Sequence, residues 1–135
     1  MREILLSFFT AIDARDWTTA RQALSDTVVL GSPESGGGAA RELSGDQLVE
    51  LSRSTGGAFD WTSHNMIHVK EVADGLEFDL VAVHYLTIPS GDNWYTLVRG
   101  VNAGFDASGR INRLDTRWMK DTGNPALVEM VRSGK

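Results

Sequence analysis

Apolar residues recur with two different periods along this chain, and the change from one to the other divides it. Over residues 3–13, Leu5, Phe8, Phe9 and Ile12 fall at helical spacing and predict a first helix. Asp13 stands near its end, about 100° round from Ile12, at the edge of the apolar face. Asp16 is an N-cap residue for a second helix whose buried stripe is Trp17, Ala20 and Leu24. A short strand is predicted at 27–30. Residues 31–43, with Pro33 and Gly36, Gly37 and Gly38, then read as a mobile loop and a lid. Ser44-Gly45-Asp46-Gln47 fits the capping box and opens a third helix, with Leu48 and Leu51 facing the core and Gly56-Gly57 ending it.

From residue 61 the period changes to two. Residues 61–72 and 76–88 read as the arms of a long hairpin turning at Ala73-Asp74-Gly75, since Asp-Gly is a strong short hairpin signal. Pairing Val72 with Leu76 puts His64 directly opposite His84. Alternation then gives His64, Met66, His68, Leu80, Ala82 and His84 one shared face. All three histidines of the chain lie there. A turn at 90–93 leads to a third meander strand at 94–105. Asp106 to Gly109 turn the chain into a fourth at 110–119, and Asn124-Pro125 predict a short terminal helix over 125–132.

Three helices before a four-stranded antiparallel meander make an α+β protein. The expected architecture is a curved antiparallel sheet wrapped around three N-terminal helices, cone-shaped, with a central pocket. At 135 residues the chain is expected to form a single domain, 1–135. The outer sheet face, carrying Ile67, Val69, Val81, Val83 and Tyr85, holds much apolar surface, which predicts a homodimer through it.

Composition narrows the partners. A formal charge of −5 supplies no basic field for nucleic acid or an anionic membrane, and no apolar run reaches the roughly 18 residues of a membrane span. The start of the chain is too mixed for a signal peptide. With no cysteine there is neither a disulfide framework nor thiolate chemistry, which fits a cytoplasmic protein.

The paired histidines carry the chemistry. Histidine can take and return a proton within one turnover, and a carboxylate at hydrogen-bond distance fixes its tautomer and raises its basicity. The expectation is that His64 transfers the proton, with His84 beside it. Trp17, Trp61, Met66, Ala82 and Trp94 would line the pocket and exclude water. Asn102 is the substrate hydrogen-bond donor chosen on the third meander strand. His68 is read as structural and Asp79, which alternates away from His84, as surface or interface. No metal is expected: on a strand, His64 and His68 have Cα atoms about 13 Å apart, too far to chelate one ion comfortably. The glycine run has none of the flanking pattern of a phosphate loop. Paired histidines on a strand are also explained as hydrogen-bonded core residues.

The order of elements resembles the SnoaL-like group of the nuclear transport factor 2-like (cystatin-like) superfamily over essentially the whole chain. Three segments carry a local resemblance to the scytalone dehydratase family: Asp13-Ala14-Arg15-Asp16-Trp17, Thr62-Ser63-His64, and His84-Tyr85-Leu86-Thr87-Ile88-Pro89. The resemblance implies an active-site role for Asp13, which would orient His84 while His64 transfers the proton, and catalytic roles for His64 and His84. It also implies cofactor-free lyase or isomerase chemistry, dehydratase- or cyclase-like, on a small hydrophobic carbonyl compound. Ile12 stands where that family has a tyrosine, and 27–30 lacks its second one. Cyclases of the SnoaL type place an acid/base aspartate where Asp115 lies. Two other functions use the same frame: non-catalytic binding of an apolar small molecule, and an interaction domain whose pocket is vestigial.

Overall fold

The computed structural model describes residues 1–31, 41–56, 59–85 and 94–123, with backbone alone for 55–56, 85, 94–97, 99 and 117–123. The order of elements is α1 (Arg2–Ala14), α2 (Trp17–Gln22), β1 (Leu24–Gly31), β2 (Arg41–Ser44), α3 (Gly45–Gly56), β3 (Trp61–Val72), β4 (Gly75–Tyr85), β5 (Trp94–Phe105) and β6 (Ile111–Gly123). Of the expected loop and lid over 31–43, residues 32–40 lie outside the described residues. Gly31 ends β1 and 41–43 belong to β2, so both ends are strand where the sequence predicts loop. The expected terminal helix over 125–132 lies outside the described residues.

α1 buries Leu5, Phe8, Phe9, Ala11 and Ile12 along one face, as the apolar spacing predicts. It stops at Arg15, which takes the left-handed conformation (φ 58°, ψ 30°). The Arg15 amide donates to the Ile12 carbonyl (3.1 Å) and the Asp16 amide to the Ala11 carbonyl (2.8 Å), the paired bonds of a Schellman end. Asp16 at once caps α2, accepting from the Thr19 amide at 3.2 Å and the Thr19 hydroxyl at 2.6 Å. These bonds, the hydroxyl first, hold its carboxyl below the usual range.

Leu24 does not belong to the α2 stripe. It opens β1, fully buried and paired with Ile111. Arg21 secures the change of direction: its guanidinium donates to the Leu24 carbonyl, Asp46 and Asp26 at 3.0, 2.9 and 3.1 Å, joining α2 to β1 and to the start of α3. The capping box forms reciprocally. The Gln47 amide donates to the Ser44 hydroxyl (3.0 Å) and the Ser44 amide to the Gln47 side chain (2.8 Å). Leu48 is buried as expected, whereas Leu51 is 42% exposed and faces away from the core.

The sheet has six strands in the order β2-β1-β6-β5-β4-β3, two more than the meander alone. β1 joins β6 in parallel, and the other pairings are antiparallel. The inner face carries Leu76, Phe78, Val98, Val101, Ala103 and Leu114, which pack with α1 residues in one core. Among the described residues no helix is long and apolar enough to cross a membrane.

The hairpin register departs from the expected one twice. The turn is one residue tighter, with Val72 opposite Gly75, and β3 carries a bulge between Ile67 and Lys70. His68 is the residue put into the left-handed region (φ 54°), so His68 and Val69 together oppose Phe78. Two single-residue shifts in one direction restore the original face while sliding the partner by two. His64 therefore stands opposite Ala82, and Thr62, not His64, is the partner of His84. The same bulge turns His68 outward, three-quarters exposed and bonded to Asp79, and packs Val69 against the core. Neither residue belongs to the face predicted for it. On the outer face Val83 is fully buried, and Ile67 is 37% exposed.

Candidate active site

The site is assembled where the end of α1 meets the middle of β3. Asp13 lies in the last turn of α1, at the negative end of the helix dipole, with no basic residue in that turn. A carboxylate is disfavoured there unless something else holds it. β3 does so with three donors: the His64 amide to Oδ2 at 2.8 Å, the Thr62 hydroxyl to Oδ1 at 3.1 Å, and His64 Nδ1 to Oδ1 at 2.6 Å. Oδ1 is an acceptor in both of its bonds, so the network assigns the ring proton to Nδ1 and the lone pair to Nε2.

Asp13 thus holds His64 rather than His84, which corrects the expected pairing. The slide in register is the cause: it carries His64 two residue pairs along the ladder from His84 and puts its amide and ring together against the helix end. The His64 ring is stacked on Phe9 (centroids 5.6 Å, planes 11° apart) and meets the His84 ring edge-on at 6.2 Å. His84 in turn packs against Phe59 at 4.8 Å. The side chains of His64 and Asp13 are 17% and 24% exposed, so both are half-buried and reachable.

Of the other predicted residues, Ala82 is buried opposite His64, and Met66 lies two positions along the same strand and packs on the core. Trp17 packs on the core from α2. Trp94 is the register partner of His84, and its side chain lies outside the described residues. Three predicted residues are not brought to the site. Strand alternation puts Trp61 on the face of Ser63, opposite to that of His64. Asn102 and Asp115 pair with each other, and their neighbours Ala103 and Leu114 face the core, so both point outward. There Asp115 packs closely over Gly31 and lies 3.8 Å from the Arg113 guanidinium.

Sequence reasoning missed four contributors: Thr62, Phe9, Phe59 and Arg15, whose guanidinium donates to the Phe59 carbonyl. For Thr62 the signal was available, since it is two residues from His64 on a strand and shares its face. An acidic residue at a helix C-terminus was a second readable sign. Among the described residues no group of three or more His, Cys, Asp or Glu side chains is placed to hold a metal ion. Depressions lined by described residues also occur elsewhere, one between β2 and α3 beside Leu43 and Leu51, another between the start of α1 and the β3–β4 turn.

Such a cluster can remove and return a proton: an oriented imidazole with a free basic nitrogen, apolar walls, and a second imidazole nearby. No family model matches the chain, and no curated protein does. Solved structures do match at the level of fold. A nuclear transport factor 2-like protein of unknown function from Exiguobacterium sp. 255-15 is 17% identical, covering 84% of this chain and 95% of its own, with a TM-score of 0.64. The Delta 5-3-ketosteroid isomerase from Mycobacterium sp. is 17% identical over 89% and 96%, TM-score 0.64. A Mycobacterium tuberculosis protein in complex with estradiol-17beta-hemisuccinate is 14% identical over 87% and 95%, TM-score 0.66.

Proposed function

We propose, from the premise that this chain has the nuclear transport factor 2-like fold, that it is a cofactor-free lyase or isomerase acting on a small hydrophobic carbonyl compound. One observation carries the reading: the Asp13 carboxylate accepts from the His64 amide and ring and from Thr62, leaving Nε2 of His64 as the basic nitrogen. Nε2 takes a proton from the carbon next to the carbonyl, and the electron pair moves to the carbonyl oxygen. His64 then returns that proton, either to a remote carbon, giving isomerisation, or to a departing hydroxyl, giving dehydration. Asp13 orients the imidazole and stabilises its protonated form, as a buried carboxylate does in other acid–base pairs. His84 is the second proton-bearing group, set to face the developing oxyanion. The substrate lies against His64 on the inner face, where Phe9, Met66 and Ala82 are the apolar neighbours.

The test is hydrogen–deuterium exchange at the α-carbon of a panel of cyclic and steroidal ketones, followed by NMR in heavy water. Exchange by the wild type is expected to fall about 10²–10⁴-fold in His64→Gln and to drop strongly in Asp13→Asn. Wild-type exchange that survives His64→Gln sinks the reading. A second reading, binding without turnover, is favoured by the steroid ester held by the Mycobacterium tuberculosis neighbour. Saturable binding of the same ketones with no exchange would select it.

The assembly proposed is a homodimer through the outer face at Ile67 and Val81, because Ile67 is left 37% exposed there, flanked by polar positions at Lys70, Glu77, Asn102, Asp115 and Arg113. Sedimentation of Ile67→Lys as a monomer beside a dimeric wild type is the expected result. A monomeric wild type removes the proposal.

A further inference from the structure

We infer that Arg15 is a positioning residue for the group formed by Asp13, His64 and His84, holding Phe59 against the His84 ring. The inference takes that group as the site proposed above.

Arg15 stands at a position that local rules give to another residue. The position that ends a helix in the left-handed conformation is ordinarily glycine, because a Cβ is disfavoured there. This chain puts arginine at that position, with φ 58°. The backbone alone would be better served by glycine, so the side chain must supply something glycine cannot. What it supplies is visible: Nη2 donates to the carbonyl of Phe59, 44 residues further on and two residues before the start of β3. A guanidinium-to-carbonyl bond is charge-assisted, and its planar fork restricts direction as well as distance.

Both ends of Arg15 therefore act on the site. Its backbone stops α1 two residues after Asp13 and so sets where the carboxylate sits. Its head fixes the bend at Phe59, whose ring is buried and lies 4.8 Å from the His84 ring with the planes at 58°. His84 meets His64 edge-on at 6.2 Å. One side chain thus ties the wall behind His84 to the helix end that holds His64, and the separation of the two imidazoles depends on that tie.

The test separates this role from a merely structural one, since Arg15→Gly removes the tie while relieving the backbone. Asparagine also accepts the left-handed conformation and is too short to reach Phe59, so Arg15→Asn is the second variant. Phe59→Leu supplies the reference for an unstacked His84 ring. The readouts are the melting temperature and the ring proton signals of His64 and His84 in the resting protein. Arg15→Gly is expected to melt no lower than the wild type. Its His84 signals should move towards those of Phe59→Leu, with the Asp13-bonded Nδ1 proton of His64 retained, and Arg15→Asn should move His84 in the same direction. His84 signals unchanged in a folded variant overturn the inference. So does loss of the His64 proton together with a lower melting temperature, which marks Arg15 as a general structural residue. These signals are read without substrate. Failure of ketone exchange in the wild type therefore counts against the proposed reaction alone, and an unmoved His84 counts against Arg15 alone.

Discussion

At the scale of single residues, the chain twice keeps a side chain where the backbone favours glycine. Arg15 and His68 are the non-glycine residues with positive φ among those described, and each uses its side chain for a bond. His68 Nδ1 lies 2.9 Å from Asp79 Oδ2, and the other oxygen of Asp79 accepts the Gly100 amide at 3.0 Å. Asp79 thereby links the bulge in β3 to the irregularity in β5 at Gly100, which also has positive φ (66°). The left-handed conformation costs about 1–2 kcal/mol for an L-residue, and an exposed pair such as His68–Asp79 returns only about 0–1 kcal/mol. His68→Gly should therefore change stability by less than about 1 kcal/mol, while His68→Val should lower it by about 1–3 kcal/mol. Strand propensity alone predicts that valine is the better residue, so urea denaturation of the two variants decides between local preference and the bulge.

The hairpin of β3 and β4 is the element on which the site depends. A regular ladder continued from the Val72–Gly75 pair would put His64 opposite Val83 and turn Thr62, His64 and Met66 outward. The bulge at His68 absorbs one residue and turns them back. The start of β4 is held just as tightly. Gly75 has φ 152°, and a Cβ there would lie 2.0 Å from the Ala103 carbonyl oxygen, a backbone atom that cannot swing aside. Gly75→Ala is expected to cost about 2–3 kcal/mol, by overpacking and backbone incompatibility together. Thermal unfolding should show it as a clear fall in melting temperature. A melting temperature at the wild-type value would mean that β4 can shift relative to β5 at little cost.

For the whole molecule, the closing of the sheet matters most. β1 reaches β6 in parallel only because the chain turns sharply at Ala23 and Leu24, where the Ile111 amide donates to the Ala23 carbonyl at 2.9 Å. Beside this junction the Ser25 hydroxyl donates to Asp106, which also accepts from the Ser108 amide and hydroxyl and the Arg110 amide. The Ser25 bond is the largest cause holding the Asp106 carboxyl far below its ordinary value, followed by the Ser108 hydroxyl. A carboxyl depressed in the folded state adds stability that is full above the unfolded value of 3.8 and is lost as the pH falls below it. Ser25→Ala should therefore melt below the wild type at neutral pH, with the gap narrowing as the pH drops through and below the ordinary aspartate range. A gap that stays constant with pH would show that the serine acts by packing alone.

Much was legible in the sequence because it depends on neighbours along the chain. The helical spacing of Leu5, Phe8, Phe9 and Ile12, the capping box at Ser44 and Gln47, the cap at Asp16 and the hairpin around Asp74-Gly75 are local patterns with local physics. The face shared by His64, Ala82 and His84 also survived, because alternation tolerates an even slip. What the tertiary structure decided is of another kind. The parallel contact of β1 with β6, the inclusion of β2 and the outward facing of Asn102 and Asp115 depend on which strands meet, and no local period encodes that. The choice of His64 over His84 as the partner of Asp13 turns on a one-residue bulge, which propensity disfavours at a histidine and which only the packing around Phe78 and the bonds of Asp79 can support. Local sequence sets the period of each element, and register belongs to the contact between elements. The acid–base pair is a matter of register.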